Sequence, residues 1–170
     1  MRKFSVRDLT LAAMVAAVYA ALTLVLPGPS FGFTQLRVAE ALTVLPFLFP
    51  ASAPGLLVGC LIANLISPYG LVDILCGTAA TGLAAFLTLK MPNKWLAPLP
   101  PLLCNSVIVG GMLAWYQVGF GPNFFPMFAV TGVGVGLGEL AACYILGMLL
   151  LCTLPKIKYF QPLIPEAHLL

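Results

Sequence analysis

Apolar residues along this 170-residue chain fall in long unbroken runs, without the every-second-residue alternation of a half-exposed strand. Proline, glycine and charge divide them into six segments. They cover about residues 8–26, ended by Pro27-Gly28-Pro29; 34–49, closed by Pro50; 54–66, ended by Ser67-Pro68; 71–89; 95–116; and 125–154. A helix needs about 20 residues to cross a hydrocarbon layer of ~30 Å, so the second and third segments are short. No segment alternates polar and apolar residues as a membrane barrel requires. The pattern predicts an all-α integral membrane protein. Its six transmembrane helices form one bundle over residues 1–160, and 161–170 form a disordered C-terminal tail.

Composition removes the soluble alternatives. Hydrophobic residues make up 61% of the chain and charged residues 8%, against roughly 25% charged in a soluble domain. Mean hydropathy is +1.06. Eight basic and five acidic side chains cannot coat a body of 18.0 kDa, so the surrounding medium must be a lipid bilayer. A cytosolic enzyme, a nucleic-acid-binding domain and a disordered regulator are excluded. The cysteines (Cys60, Cys76, Cys104, Cys143, Cys152) are scattered through apolar segments with no CxxC pair. They read as small packing residues, not as disulfides or a metal centre.

The placement of charge predicts orientation. Arg2, Lys3 and Arg7 precede the first segment, Lys90 and Lys94 lie between the fourth and fifth, and Lys156 and Lys158 follow the sixth. The opposite connections, 27–33, 67–70 and 117–124, carry no basic residue. With six spans the three basic groups fall on one side, the cytoplasm. Both termini are then cytoplasmic in a multi-pass protein of the cell membrane. Residues 9–26 exceed the apolar core of a cleavable signal and read as a retained first helix.

The remaining charges lie at membrane depth, where ionisable groups are costly and face a cavity or a partner. Arg37 and Glu40 stand three residues apart on one helical face, so they can neutralise each other and fix the second helix, or share a site. Asp73 follows Gly70-Leu71-Val72, a placement that suits a helix N-cap without excluding a ligand contact. Glu139 ends the run Gly132-Val133-Gly134-Val135-Gly136-Leu137-Gly138 with no basic neighbour in its own segment, which points to function. Asn64 and Asn105 serve either as hydrogen bonds between helices or as site residues. Three carboxylates against one guanidinium favour a cationic solute, or a neutral one presenting paired N–H donors.

The first segment also carries two rows of small residues, Ala12, Ala16, Ala20 and Ala13, Ala17, Ala21. Such rows let helices approach closely, within the bundle or against another membrane protein. There is no GxxxxGK[ST] phosphate loop, and the one histidine, His168, lies in the tail. A catalytic function, a cofactor and a His-ligated metal are therefore not expected.

Two stretches carry a family resemblance. Gln35-Leu36-Arg37-Val38-Ala39-Glu40-Ala41-Leu42-Thr43-Val44-Leu45-Pro46 and Asn64-Leu65-Ile66-Ser67-Pro68-Tyr69-Gly70-Leu71-Val72-Asp73 resemble the signature of the QueT family. The resemblance extends over about residues 5–160, although Ala39 stands where many relatives have Ser. It implies a six-helix substrate-binding (S) component of an energy-coupling factor (ECF) transporter for queuosine precursors. The implied solute is a 7-deazaguanine, such as 7-aminomethyl-7-deazaguanine or queuine. The implied partners are a transmembrane T component and two ATPase subunits, which alone use ATP.

On that reading Glu139 and Glu40 take the base-edge donors and the ammonium between them, and Asp73 and Asn105 contribute. Asn64 belongs to the same group. Arg37 orients Glu40 or faces the base carbonyl. The alanine rows Ala12, Ala16, Ala20 and Ala13, Ala17, Ala21 supply a docking face for the T component. The rival readings are an S component for another cationic heterocycle such as a thiamine-like vitamin, a membrane assembly subunit that binds no solute, and an ion-coupled carrier.

Overall fold

A computed structural model describes residues 5–30, 32 and 35–165. They form four helices long and apolar enough to cross a membrane, together with two shorter apolar ones, and contain no strand. In chain order these are α1 (Val6–Val25), α2 (Val38–Phe47), α3 (Ser52–Asn64), α4 (Leu71–Thr88), α5 (Leu99–Val118) and α6 (Phe124–Lys156). Each corresponds to one apolar segment of the sequence.

Local chemistry sets the boundaries. Ser5 caps α1: its hydroxyl accepts from the Asp8 N–H at 3.2 Å, and the Asp8 carboxylate accepts from the Ser5 N–H at 2.9 Å, a reciprocal capping box. At the other end Leu26 leaves helical geometry, as the residue before Pro27 must. The connection into α4 turns at Gly70, whose φ of +63° suits a residue without Cβ. Gly70, not Asp73, is the N-cap of α4. Asp73 sits in the first turn of the helix, where a carboxylate is favoured by the positive end of the backbone dipole.

α2 departs from the expected ordinary helix. It is wound as a 3-10 helix throughout its ten residues. Pro46 has no N–H to give to the residue-42 carbonyl, and the Glu40 carbonyl accepts the Thr43 hydroxyl at 2.6 Å instead. Side chain and ring thus compete with the usual i to i+4 ladder. The tighter winding rises about 2.0 Å per residue, so ten residues reach roughly 20 Å. Thirteen residues of α3 reach about the same distance at 1.5 Å each. α2 is buried on nearly every side and lies against all five other helices.

The outer helices run α1, α3, α4, α5, α6 around this centre. α1 and α3 meet along Ala12, Ala16 and Ala20, all buried, with Gly55 and Gly59 opposite Ala12 and Ala16. A Cβ placed on Gly59 would come within 2.8 Å of the Ala16 carbonyl oxygen. Ala13, Ala17 and Ala21 face outward. The two alanine rows are therefore different surfaces, one a seam inside the bundle and the other free.

Tyr69 and Tyr116 pack edge to face with ring centroids 5.1 Å apart. Of the segment expected to be a disordered tail, residues 161–165 are described. Gln161–Leu163 form a turn, and Ile164 is buried in the main core beside the partly buried Leu163. Residues 166–170, with His168, lie outside the described residues, as do Arg2 and Lys3.

The α1–α3 seam makes a direct prediction. Gly55→Leu has only backbone to push against, so it lowers unfolding stability in detergent by roughly 1–3 kcal/mol, as overpacking does. Ala17→Leu, on the outward row, leaves the unfolding midpoint unchanged. Equal midpoints for the two variants would contradict the seam.

Candidate functional site

Five of the six polar residues that the sequence singles out, all but Asn64, are carried to one place by four helices. Arg37 precedes the first turn of α2 in extended geometry, and Glu40 occupies that turn. Asp73, Gly77 and Thr81 lie four residues apart on one face of α4. Asn105 and Val109 come from α5, and Glu139 from the middle of α6. With Gln35 these residues enclose a cavity of about 10 Å³, at the lower limit of room for one water. Arg37, Glu40, Asp73, Asn105 and Glu139 are each at most 5% exposed.

Two hydrogen-bonded groups make up its walls. In the first, the Tyr19 hydroxyl from α1 donates to Glu40 Oε1. Arg37 Nη1 stands 3.8 Å from the same carboxylate oxygen and 3.5 Å from the Tyr19 hydroxyl. In the second, Asn105 Nδ2 donates to Glu139 Oε1 at 2.7 Å, and the Cys143 thiol donates to Oε2 at 3.3 Å. Both Asn105 and Glu139 stand where the helix widens: Asn105 opens a π-helical stretch, Asn105–Val109, and Glu139 immediately precedes another, Leu140–Gly147. Such wide turns shift side-chain register and recur at functional sites.

Asp73 extends the site toward the α3–α4 connection. Its Oδ2 accepts the Ser67 hydroxyl at 2.5 Å. Nearby Tyr69, in that connection, has its phenol raised above the usual range by partial burial, with the Asp73 carboxylate and Tyr116 adding to it. Asn64 is not on the cavity. It lies behind Asp73, its Nδ2 donating to the Asp73 carbonyl at 3.3 Å and to the Cys60 sulfur at 3.4 Å, which ties α3 to α4.

What these bonds leave over matters most. Glu40 Oε2 and Asp73 Oδ1 are buried and accept no hydrogen bond, and the Gln35 Nε2 amide is buried and donates none. An unsatisfied buried polar atom costs about 1–3 kcal/mol, more when charged. The arrangement is an acceptor-rich cradle: three carboxylates and one guanidinium around a small space, with two carboxylate oxygens available. It suits a solute bearing N–H donors or positive charge. Among the described residues no group of three His, Cys, Asp or Glu side chains is placed to hold a metal ion.

Sequence reasoning did not single out Tyr19, Gln35, Gly77, Thr81 or Val109 for this site. Gly77 and Thr81 were within reach, since they continue the Asp73 face at four-residue steps. Tyr19 gave no signal, because a tyrosine in an apolar helix reads as packing or interface.

The Glu139–Asn105 bond is testable without a ligand. Asn105→Ala removes a donor from a buried carboxylate and lowers stability in detergent by about 1–3 kcal/mol. The double variant Asn105→Ala with Glu139→Ala loses less than the sum of the two single losses. Additive losses in thermal unfolding would show that the two side chains act independently.

No curated protein and no solved structure matches this chain. Residues 9–156 match the family model described as QueT transporter. Because that match takes in helices α2 to α6, nearly all of α1 and every residue of the cavity, the chain belongs to the QueT transporter family.

Proposed function

We propose that this chain is the substrate-binding subunit of an ECF-type transporter importing a queuosine precursor, a 7-deazaguanine such as 7-aminomethyl-7-deazaguanine or queuine. The observation that carries the reading is the pair of buried carboxylate oxygens, Glu40 Oε2 and Asp73 Oδ1, left without a donor on two residues that line one cavity. A 7-deazaguanine offers a row of N–H donors on its base edge, and its aminomethyl group is cationic near neutral pH. Glu40, Glu139 and Asp73 meet those donors, with Asn105 holding Glu139 in place.

The subunit crosses the membrane six times in this reading, with α2 and α3 as short spans and both termini in the cytoplasm. Supporting this, Arg7 from the start of α1 and Lys158 from beyond α6 line one surface cavity of about 490 Å³, so the two basic ends lie at the same end of the bundle. Docking on the T component uses the outward row Ala13, Ala17 and Ala21, and two ATPase subunits hydrolyse ATP on its behalf. The inward row Ala12, Ala16 and Ala20 is already occupied by α3.

Ligand sites commonly enclose roughly 300–1,000 Å³, so a cavity of about 10 Å³ is a closed form that must widen before a base enters. The same tightness favours a second reading, an assembly subunit that binds no solute. Calorimetry on the purified chain separates the two. 7-Aminomethyl-7-deazaguanine binds, and Glu40→Gln weakens binding by about ten- to a hundredfold, the worth of one charge-assisted hydrogen bond. Tighter binding of a thiamine-like vitamin would overturn the substrate assignment; heat from no solute at all would favour the assembly reading.

Docking is checked separately. Ala13→Leu combined with Ala17→Leu abolishes co-purification with the T component while calorimetric ligand binding stays intact. A complex retained by the double variant would contradict the outward row as the docking face.

A further inference from the structure

Gln35 belongs to the stretch that carries the family resemblance, yet the site as proposed gives it no task. Its backbone φ is +42°, the left-handed region that side chains other than glycine adopt rarely. Such a conformation persists where the surroundings hold it. Here the Gln35 N–H donates to the Gly32 carbonyl at 3.1 Å, and the Gln35 carbonyl accepts the Arg37 N–H at 2.7 Å. The result is a side chain turned into the protein, 5% exposed, lining the same cavity as Glu40 and Asp73 with its Nε2 undonated.

Other side chains around the cavity already hold acceptors. Arg37 Nη1 is taken up by Tyr19 and Glu40. Asn105 Nδ2 goes to Glu139, and the Thr81 hydroxyl goes to the Cys60 sulfur at 3.2 Å. Two carboxylate oxygens thus await donors from the solute, and the Gln35 amide awaits an acceptor.

We propose that Gln35 is the residue that reads a carbonyl oxygen on the bound heterocycle. The site then selects a ring edge on which a carbonyl acceptor adjoins N–H donors, as in a lactam fused to an amidine. This deepens the proposed function and rests on it. It also separates the roles of Arg37 and Gln35: Arg37 holds Glu40, and Gln35 contacts the solute. A cationic heterocycle without a carbonyl satisfies the acids but leaves the Gln35 amide buried and unpaired, which a site with buried polar groups penalises strongly.

The test is a cycle of two ligands against three proteins, measured by calorimetry on the full chain in detergent. The ligands are 7-aminomethyl-7-deazaguanine and its 6-deoxo analogue, which lacks the ring carbonyl oxygen and with it the adjoining N1–H, so the role of Gln35 is read from the effect of its substitutions on each ligand. The wild-type chain prefers the carbonyl ligand. Gln35→Leu loses about tenfold for it, the worth of one neutral hydrogen bond, and stays within about twofold for the analogue. Gln35→Gly adopts the positive φ freely, so it reports the same loss without backbone strain. Gln35→Glu, which replaces the donor by an acceptor, loses more than either. Equal losses for both ligands, no loss for either, or retained binding by Gln35→Glu would overturn the role of Gln35 while leaving the transporter reading standing. A wild-type chain that binds neither ligand overturns that reading and this one together.

Discussion

A carboxylate drawn into an apolar bundle must find donors, because no water is at hand to supply them. In this protein that demand centres on Glu40. Its position in the first turn of α2 sets Tyr19 of α1 against one oxygen and places Arg37 within ion-pair distance. α2 in turn lies against all five other helices, so the surroundings of one acid are shared by the whole bundle. The cluster is bound to the fold's centre and is not an addition to its surface.

The short helix makes that arrangement possible. Its 3-10 winding stretches ten residues to roughly 20 Å, and Pro46 and the Thr43 hydroxyl take the place of the usual backbone ladder. Around it, close backbone contact is made with small residues. Ala12 and Ala16 of α1 accept the glycines of α3, and the Thr131 hydroxyl of α6 donates to the Gly110 carbonyl of α5 at 2.7 Å. Lipid supplies no hydrophobic drive between helices, so association depends on packing and such polar bonds. Tight outer seams hold the polar centre closed, which accounts for a cavity of only about 10 Å³.

Much of this was legible in the sequence for a plain reason: hydropathy registers membrane helices strongly, and each apolar segment became one helix. The charged residues Arg37, Glu40, Asp73 and Glu139 stood out because charge at membrane depth is rare, and the structure brings all four to one cavity. Other features depend on three dimensions. Nothing in a string of letters says which alanine row faces α3, since both rows have the same spacing. Asn64 and Asn105 were equivalent on paper, yet one ties α3 to α4 and the other faces Glu139. Gln35 was hidden because its importance lies in a backbone angle, and the winding of α2 because it follows from side-chain hydrogen bonds.

On the proposed function, a solute's donors meet the free oxygens of Glu40 and Asp73, and that contact decides it. It is tested most directly by a structure of the chain with 7-aminomethyl-7-deazaguanine bound, in which the nitrogen-to-oxygen distances from the solute to Glu40 Oε2 and Asp73 Oδ1 are measured. Distances of about 2.7–3.2 Å, within a widened cavity between α2, α4, α5 and α6, are expected. A solute seated elsewhere, with both oxygens still buried and unpartnered, would contradict the account.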